Sequence, residues 1–127
     1  MRVYIASKYI EHKIINRQLY AALYSANIEV FLPESINVDA ITIDEMFFVS
    51  ETCYNEIYRS DVLLVVCPIG RSVSSEIGCA ITLKRLLSRK ILIITYQSDL
   101  EHEAMLYPYI DKNFDSIEEL IFYLKSM

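Results

Sequence analysis

The densest polar chemistry in the chain lies between Cys67 and Ala80, where Arg71, Ser72, Ser74, Ser75 and Glu76 follow an apolar, strand-like run. If a helix starts there, its first amides and the three serine hydroxyls can receive an anion or sugar hydroxyls, and Arg71 can pair with a phosphate. Taken singly, each residue also has a plainer role. Ser74 caps the helix and Glu76 favours its positive end. Ser7 and Lys8 follow the first predicted strand and can add phosphate or sugar contacts, although a solvated lysine is the ordinary outcome. His12 and His102 lack cysteine or carboxylate partners at ligand spacing, so no metal site and no cofactor are expected. Cys53 has no histidine placed to activate it and is expected to be a small buried residue.

The elements that must position these groups alternate. Arg2 to Ala6 reads as a strand, and a helix follows with Ile10, Ile14, Ile15, Leu19, Ala22 and Leu23 on one face, ending near Asn27. Ile28 to Leu32 form a second strand stopped by Pro33, and residues 33–43 form a loop. A helix is expected from Asp44 to about Tyr58, with Phe47, Phe48 and Ile57 as its apolar positions. Asp61 to Val66 is a continuous apolar, β-branched run, the pattern of a strand buried on both faces of a parallel sheet. A helix from about Ser74 to Leu87 comes next, with Gly78 allowing close approach to the sheet, then a strand from Lys90 to Thr95. After an acidic loop, the last helix is expected to be capped by Asp115 with Glu118 reaching back, its buried stripe being Ile117, Leu120, Ile121 and Leu124. This alternation predicts an α/β fold, a flavodoxin-like three-layer sandwich with a mainly parallel, doubly wound sheet. Ligands in such sheets bind outside the carboxyl ends of the strands, which selects the segments after Ala6, Leu32, Val66 and Thr95.

At 127 residues the chain predicts a single domain spanning 1–127. A net charge of -5 without a basic cluster argues against nucleic acid or an anionic membrane and for a small-molecule partner. Three cysteines without metal-ligand spacing, and a start on a strand rather than a signal peptide, predict reduced thiols and a cytoplasmic location. No apolar stretch approaches the roughly 18 residues of a membrane span.

Three segments carry a resemblance. Val3-Tyr4-Ile5-Ala6, the run Ser60-Asp61-Val62-Leu63-Leu64-Val65-Val66, and Ser75-Glu76-Ile77-Gly78-Cys79-Ala80 resemble, in order and spacing, successive signatures of nucleoside 2-deoxyribosyltransferases. That superfamily includes 2'-deoxynucleoside 5'-monophosphate N-glycosidases and CMP hydrolase-like members. The resemblance implies cleavage or exchange at C1' of a nucleoside or nucleotide, with Glu76 as the nucleophile of a glycosyl-enzyme intermediate and Tyr4 orienting it.

Two positions depart from the transferase pattern. An acidic residue expected six positions before Glu76 is Gly70, and an aspartate expected eight positions before Asp61 is Cys53, a poor substitute for a carboxyl acid because its thiol titrates near 8.5. Base-to-base transfer is therefore disfavoured. The serine-rich stretch Arg71 to Ser75 resembles the phosphate-contacting loop of the monophosphate hydrolases, which tilts the reading toward nucleotide hydrolysis. The region of Asp99, Glu101 and Glu103 corresponds to one that completes a neighbouring subunit's site, so a homodimer or higher homo-oligomer is implied. The departures also leave open a second class of function, a non-catalytic module that senses a nucleotide or NAD-derived ligand.

Overall fold

The computed structural model describes residues 1–36 and 39–127. Five strands, β1 (Arg2–Ala6), β2 (Glu29–Phe31), β3 (Val62–Val66), β4 (Leu92–Tyr96) and β5 (Lys112–Phe114), form one sheet in the order β2-β1-β3-β4-β5, with every neighbouring pair parallel. Four helices connect and follow them: α1 (Lys13–Ser25), α2 (Ile43–Tyr58), α3 (Arg71–Leu86) and α4 (Ile117–Lys125). This is the flavodoxin-like order, and the chain reverses its direction of winding between β1 and β3.

Side-chain alternation along each strand divides the core in two. Val3 and Ile5 of β1 pack with Leu19 and Leu23 of α1 and Leu120 and Leu124 of α4. Tyr4 and Ala6 point the other way, toward Ile57 of α2 and Val73, Ile77 and Ala80 of α3. All five residues of β3 are buried because helices cover both faces, as the unbroken apolar run predicts. No helix among the described residues is long and apolar enough to cross a membrane.

The structure corrects several expectations. A fifth strand, β5, was not expected: of Lys112, Asn113 and Phe114 only Phe114 is buried, so no apolar run announces it. Polar side chains fasten this edge in addition to its backbone pairing with β4. Asp111 Oδ2 accepts from the Ile93 amide at 2.8 Å, and Asn113 Oδ1 accepts from the Thr95 hydroxyl and the Ser98 amide at 2.9 Å each. Strand β2 is shorter than Ile28 to Leu32, and β4 runs from Leu92 rather than Lys90, ending at Tyr96. Pro33–Ser35 forms a short 3-10 turn where a loop was expected, and positions 37 and 38 of that loop lie outside the described residues.

Ile10 precedes α1, and both Ile10 and Ile14 face solvent, while Leu19 and Leu23 carry the buried stripe. On α2, Ile57 is buried as expected, but Phe47 and Phe48 point outward. The cap of α4 is Ser116, one residue after the expected Asp115: its hydroxyl accepts from the Glu119 amide at 3.3 Å and donates to Glu118 at 3.0 Å. Asn27, with φ of 60°, does mark the end of α1 in the left-handed region that asparagine tolerates. Gly78 makes no close approach, because a Cβ there would meet nothing within 4 Å.

Helix α2 begins with a full capping box. The Thr42 hydroxyl accepts from the Glu45 amide at 3.2 Å while Glu45 Oε1 accepts from the Thr42 amide at 2.9 Å. Those hydrogen bonds hold the Glu45 carboxyl below its ordinary pKa. Thr42→Ala is expected to cost about 1 kcal/mol in urea unfolding by removing one partner of the box.

Candidate active site

At the carboxyl end of the sheet beside the β1/β3 reversal, Tyr4 of β1 reaches across to α3. Its hydroxyl donates a hydrogen bond to Glu76 Oε2. Both side chains are buried, and Phe31 packs against the Tyr4 ring with centroids 5.3 Å apart. The sequence places Glu76 here for a simple reason. Helix α3 buries Val73, Ile77 and Ala80 against the sheet, and Glu76 sits on the flank of that stripe, facing the gap between α3 and α2.

That gap is a cavity of about 270 Å³ whose walls include Cys53, Tyr54, Ser72, Ser75 and Glu76. Burial pushes the Glu76 carboxyl up to about 7, against the lowering effect of the Tyr4 hydrogen bond. Tyr4 is held far above its ordinary phenolic value by burial, by the charge of Glu76 and by the neighbouring Cys53 thiol, so it remains a donor. Burial likewise raises the Cys53 thiol, with the Tyr4 hydroxyl pulling it partly back. At neutral pH the cavity thus offers a carboxyl group divided between its two protonation states, fixed by a neutral hydroxyl.

The structure brings some of the expected residues together and separates others. Glu76, Tyr4, Cys53, Ser72 and Ser75 converge. Cys53 is half-buried in the cavity wall rather than fully buried as expected. Helix α3 starts at Arg71, not Ser74: Gly70 is its N-cap and offers no side-chain cap. Ser74 is exposed and its hydroxyl donates back to the Gly70 carbonyl at 3.1 Å, so it neither caps the helix nor lines the cavity. Arg71 is exposed. A Cβ at Gly70 would lie 3.4 Å from Lys8 Cε and 3.6 Å from its Cγ, so the lysine stem crosses the space a larger residue would enter. The Ser7 hydroxyl donates to the Lys8 carbonyl at 3.4 Å, within its own loop. Asp99, Glu101 and Glu103 are exposed and stand away from these walls.

Sequence reasoning missed the α2 wall, made by Met46, Val49, Ser50 and Tyr54 beside Cys53. The signal was present. Positions 46, 49, 50, 53 and 57 share one helical face, of which only Ile57 reaches the core and the others stop at the cavity.

No family model matches the sequence, and no curated protein does either. Solved structures do match it in fold. A 2-deoxyribosyltransferase from Bacillus psychrosaccharolyticus superposes with a TM-score of 0.73 at 14% identity, covering 95% of this chain and 90% of that one. The chain has the deoxyribosyltransferase fold. A 2-deoxyribosyltransferase from Leishmania mexicana matches with a TM-score of 0.66 at 15% identity over 98% of this chain and 97% of its own. The Clostridium botulinum CMP N-glycosidase matches with a TM-score of 0.61 at 18% identity, covering 100% of both chains. Within the deoxyribosyltransferase fold as this chain builds it, the buried Tyr4–Glu76 pair stands at the carboxyl end of the sheet, where doubly wound folds bind their ligands.

Proposed function

We propose that the protein cleaves the N-glycosidic bond of a nucleoside or nucleoside 5'-monophosphate, with Glu76 as nucleophile. The observation that carries this reading is the Tyr4–Glu76 hydrogen bond at the wall of a cavity at the carboxyl end of the sheet. The activities named for proteins of the same fold, 2-deoxyribosyl transfer and CMP N-glycosidase, support it.

Tyr4 engages Oε2 and leaves Oε1 for C1'. As the Glu76–C1' bond forms, the C1'–N bond breaks through an oxocarbenium-like transition state, and its electron pair leaves with the base. Water then attacks C1', its oxygen replacing the Glu76 ester bond; the carboxylate returns, the sugar is released, and the proton that water gives up neutralises the base anion. Among the described wall residues Glu76 is the one carboxylic acid, and Cys53 stays protonated. Without a second carboxyl group to protonate and deprotonate bases, hydrolysis is favoured over base exchange. Ser72 and Ser75, at the uncapped start of α3, are the hydroxyls available to the sugar or its 5' substituent. The exposed acidic stretch around Asp99 to Glu103 is assigned to contacts between copies in a homo-oligomer, whose mass light scattering would report.

The test is release of free base from a panel of nucleosides and 5'-monophosphates, with and without an acceptor base, by wild type and Glu76→Ala. Release that needs Glu76 and ignores the acceptor is the expected result. A Glu76→Ala variant with most of the wild-type rate would sink the reading. Cys53 and Gly70, standing where the resemblance expects acids, favour one alternative, a nucleotide-sensing module; saturable binding without release from any substrate would establish it.

A further inference from the structure

Helix α4 lies on the face of the sheet opposite the Tyr4–Glu76 pair: its Leu120 and Leu124 join the core around Val3 and Ile5, whereas Tyr4 packs on the α2–α3 side. The outer face of α4 carries an aromatic ring left in water, since Phe122 is 77% exposed. That ring is a ridge between two grooves, and it lines both together with Glu118 and Ser126. The groove toward α1, about 640 Å³, has Ala22, Ile117 and Ile121 as apolar walls. The groove toward β5 is bordered by Lys112 and Asn113 and is more polar. An exposed ridge beside an apolar groove of its own size makes a surface that can complement a copy of itself.

The charges on α4 follow the same symmetry. Glu119 stands three residues before Phe122 and Lys125 three residues after it. Among the described residues neither makes an ion pair within the chain, and six residues apart on one helix they do not meet each other. An acidic first turn and a basic last turn also suit the dipole of α4. The dipole accounts for neither the bare ring nor the apolar groove beside it.

We propose that α4 is a pairing surface for a second copy of this chain, the two helices packing antiparallel about a twofold axis near Phe122. Each Phe122 ring then leaves water for the other copy's groove beside α1, and each Glu119 faces Lys125 of the second copy, so every contact forms twice. Parallel packing would set Glu119 against Glu119 and Lys125 against Lys125. This face is separate from the acidic stretch around Asp99 to Glu103 and does not depend on what Glu76 does. Because it is built on one helix of nine residues, the association is expected to be weak and to vary with protein concentration.

Sedimentation velocity over a wide range of protein concentration tests the pairing. Wild type is expected to show reversible doubling of mass. Phe122→Asp is expected to weaken that step by about a hundredfold or more, because an aromatic anchor is lost from both copies. Glu119→Lys alone and Lys125→Glu alone each bring like charges together twice and should weaken it by about tenfold or more. Mixed one to one, these two variants should associate again, since each then meets the charge that it lacks. Circular dichroism melts check that the variants fold, which exposed positions favour. A role in the dipole alone would lower the melting temperature of the two charge variants without changing mass. Wild type that shows no doubling at any concentration overturns the proposal and leaves the face to a different protein. Doubling that survives Phe122→Asp, or a mixture that associates no better than its components, overturns it in favour of another contact between copies.

Discussion

Glu76→Gln is expected to lose base release by roughly ten-thousand-fold or more while becoming more stable than wild type above neutral pH. The loss follows from chemistry: an amide is no nucleophile toward C1', and removal of the attacking group is among the costliest changes an enzyme can suffer. The gain follows from burial. The Glu76 carboxyl titrates at about 7 in the folded protein against an ordinary value of 4.5. Below pH 4.5 both folded and unfolded chains hold the proton. Between there and about 7 the folded chain keeps it and the unfolded chain does not, so stability falls as pH rises through that window. Above it the full cost is present, on the order of 3 kcal/mol by the conversion of pKa displacement to free energy. Glutamine keeps the shape and carries no charge, so the difference in unfolding free energy between variant and wild type should grow across this window and level off beyond it. Urea titrations at pH 5 and pH 8.5 measure it. A difference that does not change with pH would mean that Glu76 ionises without penalty, and the site would be wetter than the structure shows.

The same carboxyl group shows which parts of the molecule were legible beforehand. Strand β3 is unmistakable because it is covered on both faces and leaves no polar residue in five positions. Glu76 and Tyr4 stand out through resemblance to a family, and their residue types alone say little: a glutamate near the start of a helix and one of ten tyrosines have ordinary uses. Their meaning lies in a contact across 72 residues, which no local pattern encodes. Strand β5 was illegible for a different reason. Beside its backbone pairing with β4, its hold on the sheet comes from Asp111 and Asn113 side chains, a device that looks like loop composition in one dimension. The α2 wall is hidden in the sequence because a helical stripe predicts a buried face without saying where the partner surface ends. Phe47 and Phe48 are exposed, while Met46, Val49, Ser50 and Cys53 border the cavity. Because α3 begins three residues before Ser74, Ser74 turns outward and bonds its own backbone, and Arg71 is exposed.

Tyr4→Phe separates a positioning role from a packing one. The substitution keeps the ring against Phe31 and removes only the hydroxyl that donates to Glu76. Since that hydrogen bond lowers the Glu76 pKa against the upward push of burial, its loss must move the carboxyl higher still. A nucleophile works ionised, so kcat/KM in wild type should rise with pH through about 7 and then level off. In Tyr4→Phe the rising limb should shift to higher pH, giving a loss on the order of a hundredfold at pH 7 that shrinks toward pH 9. If Tyr4 served only to fill space, the variant would keep the wild-type limb and show a uniform change at every pH. If Glu76 instead acted as a general acid, the wild-type profile would fall with pH through the same region, and the mutant's fall would be displaced upward. The direction of the limb thus identifies the protonation state that does the work, and its displacement identifies Tyr4 as the group that sets it. Leaving Oε2 without its donor in a buried site should also cost about 1 to 3 kcal/mol in thermal or urea unfolding, which fixes how much of any activity loss reflects unfolded protein.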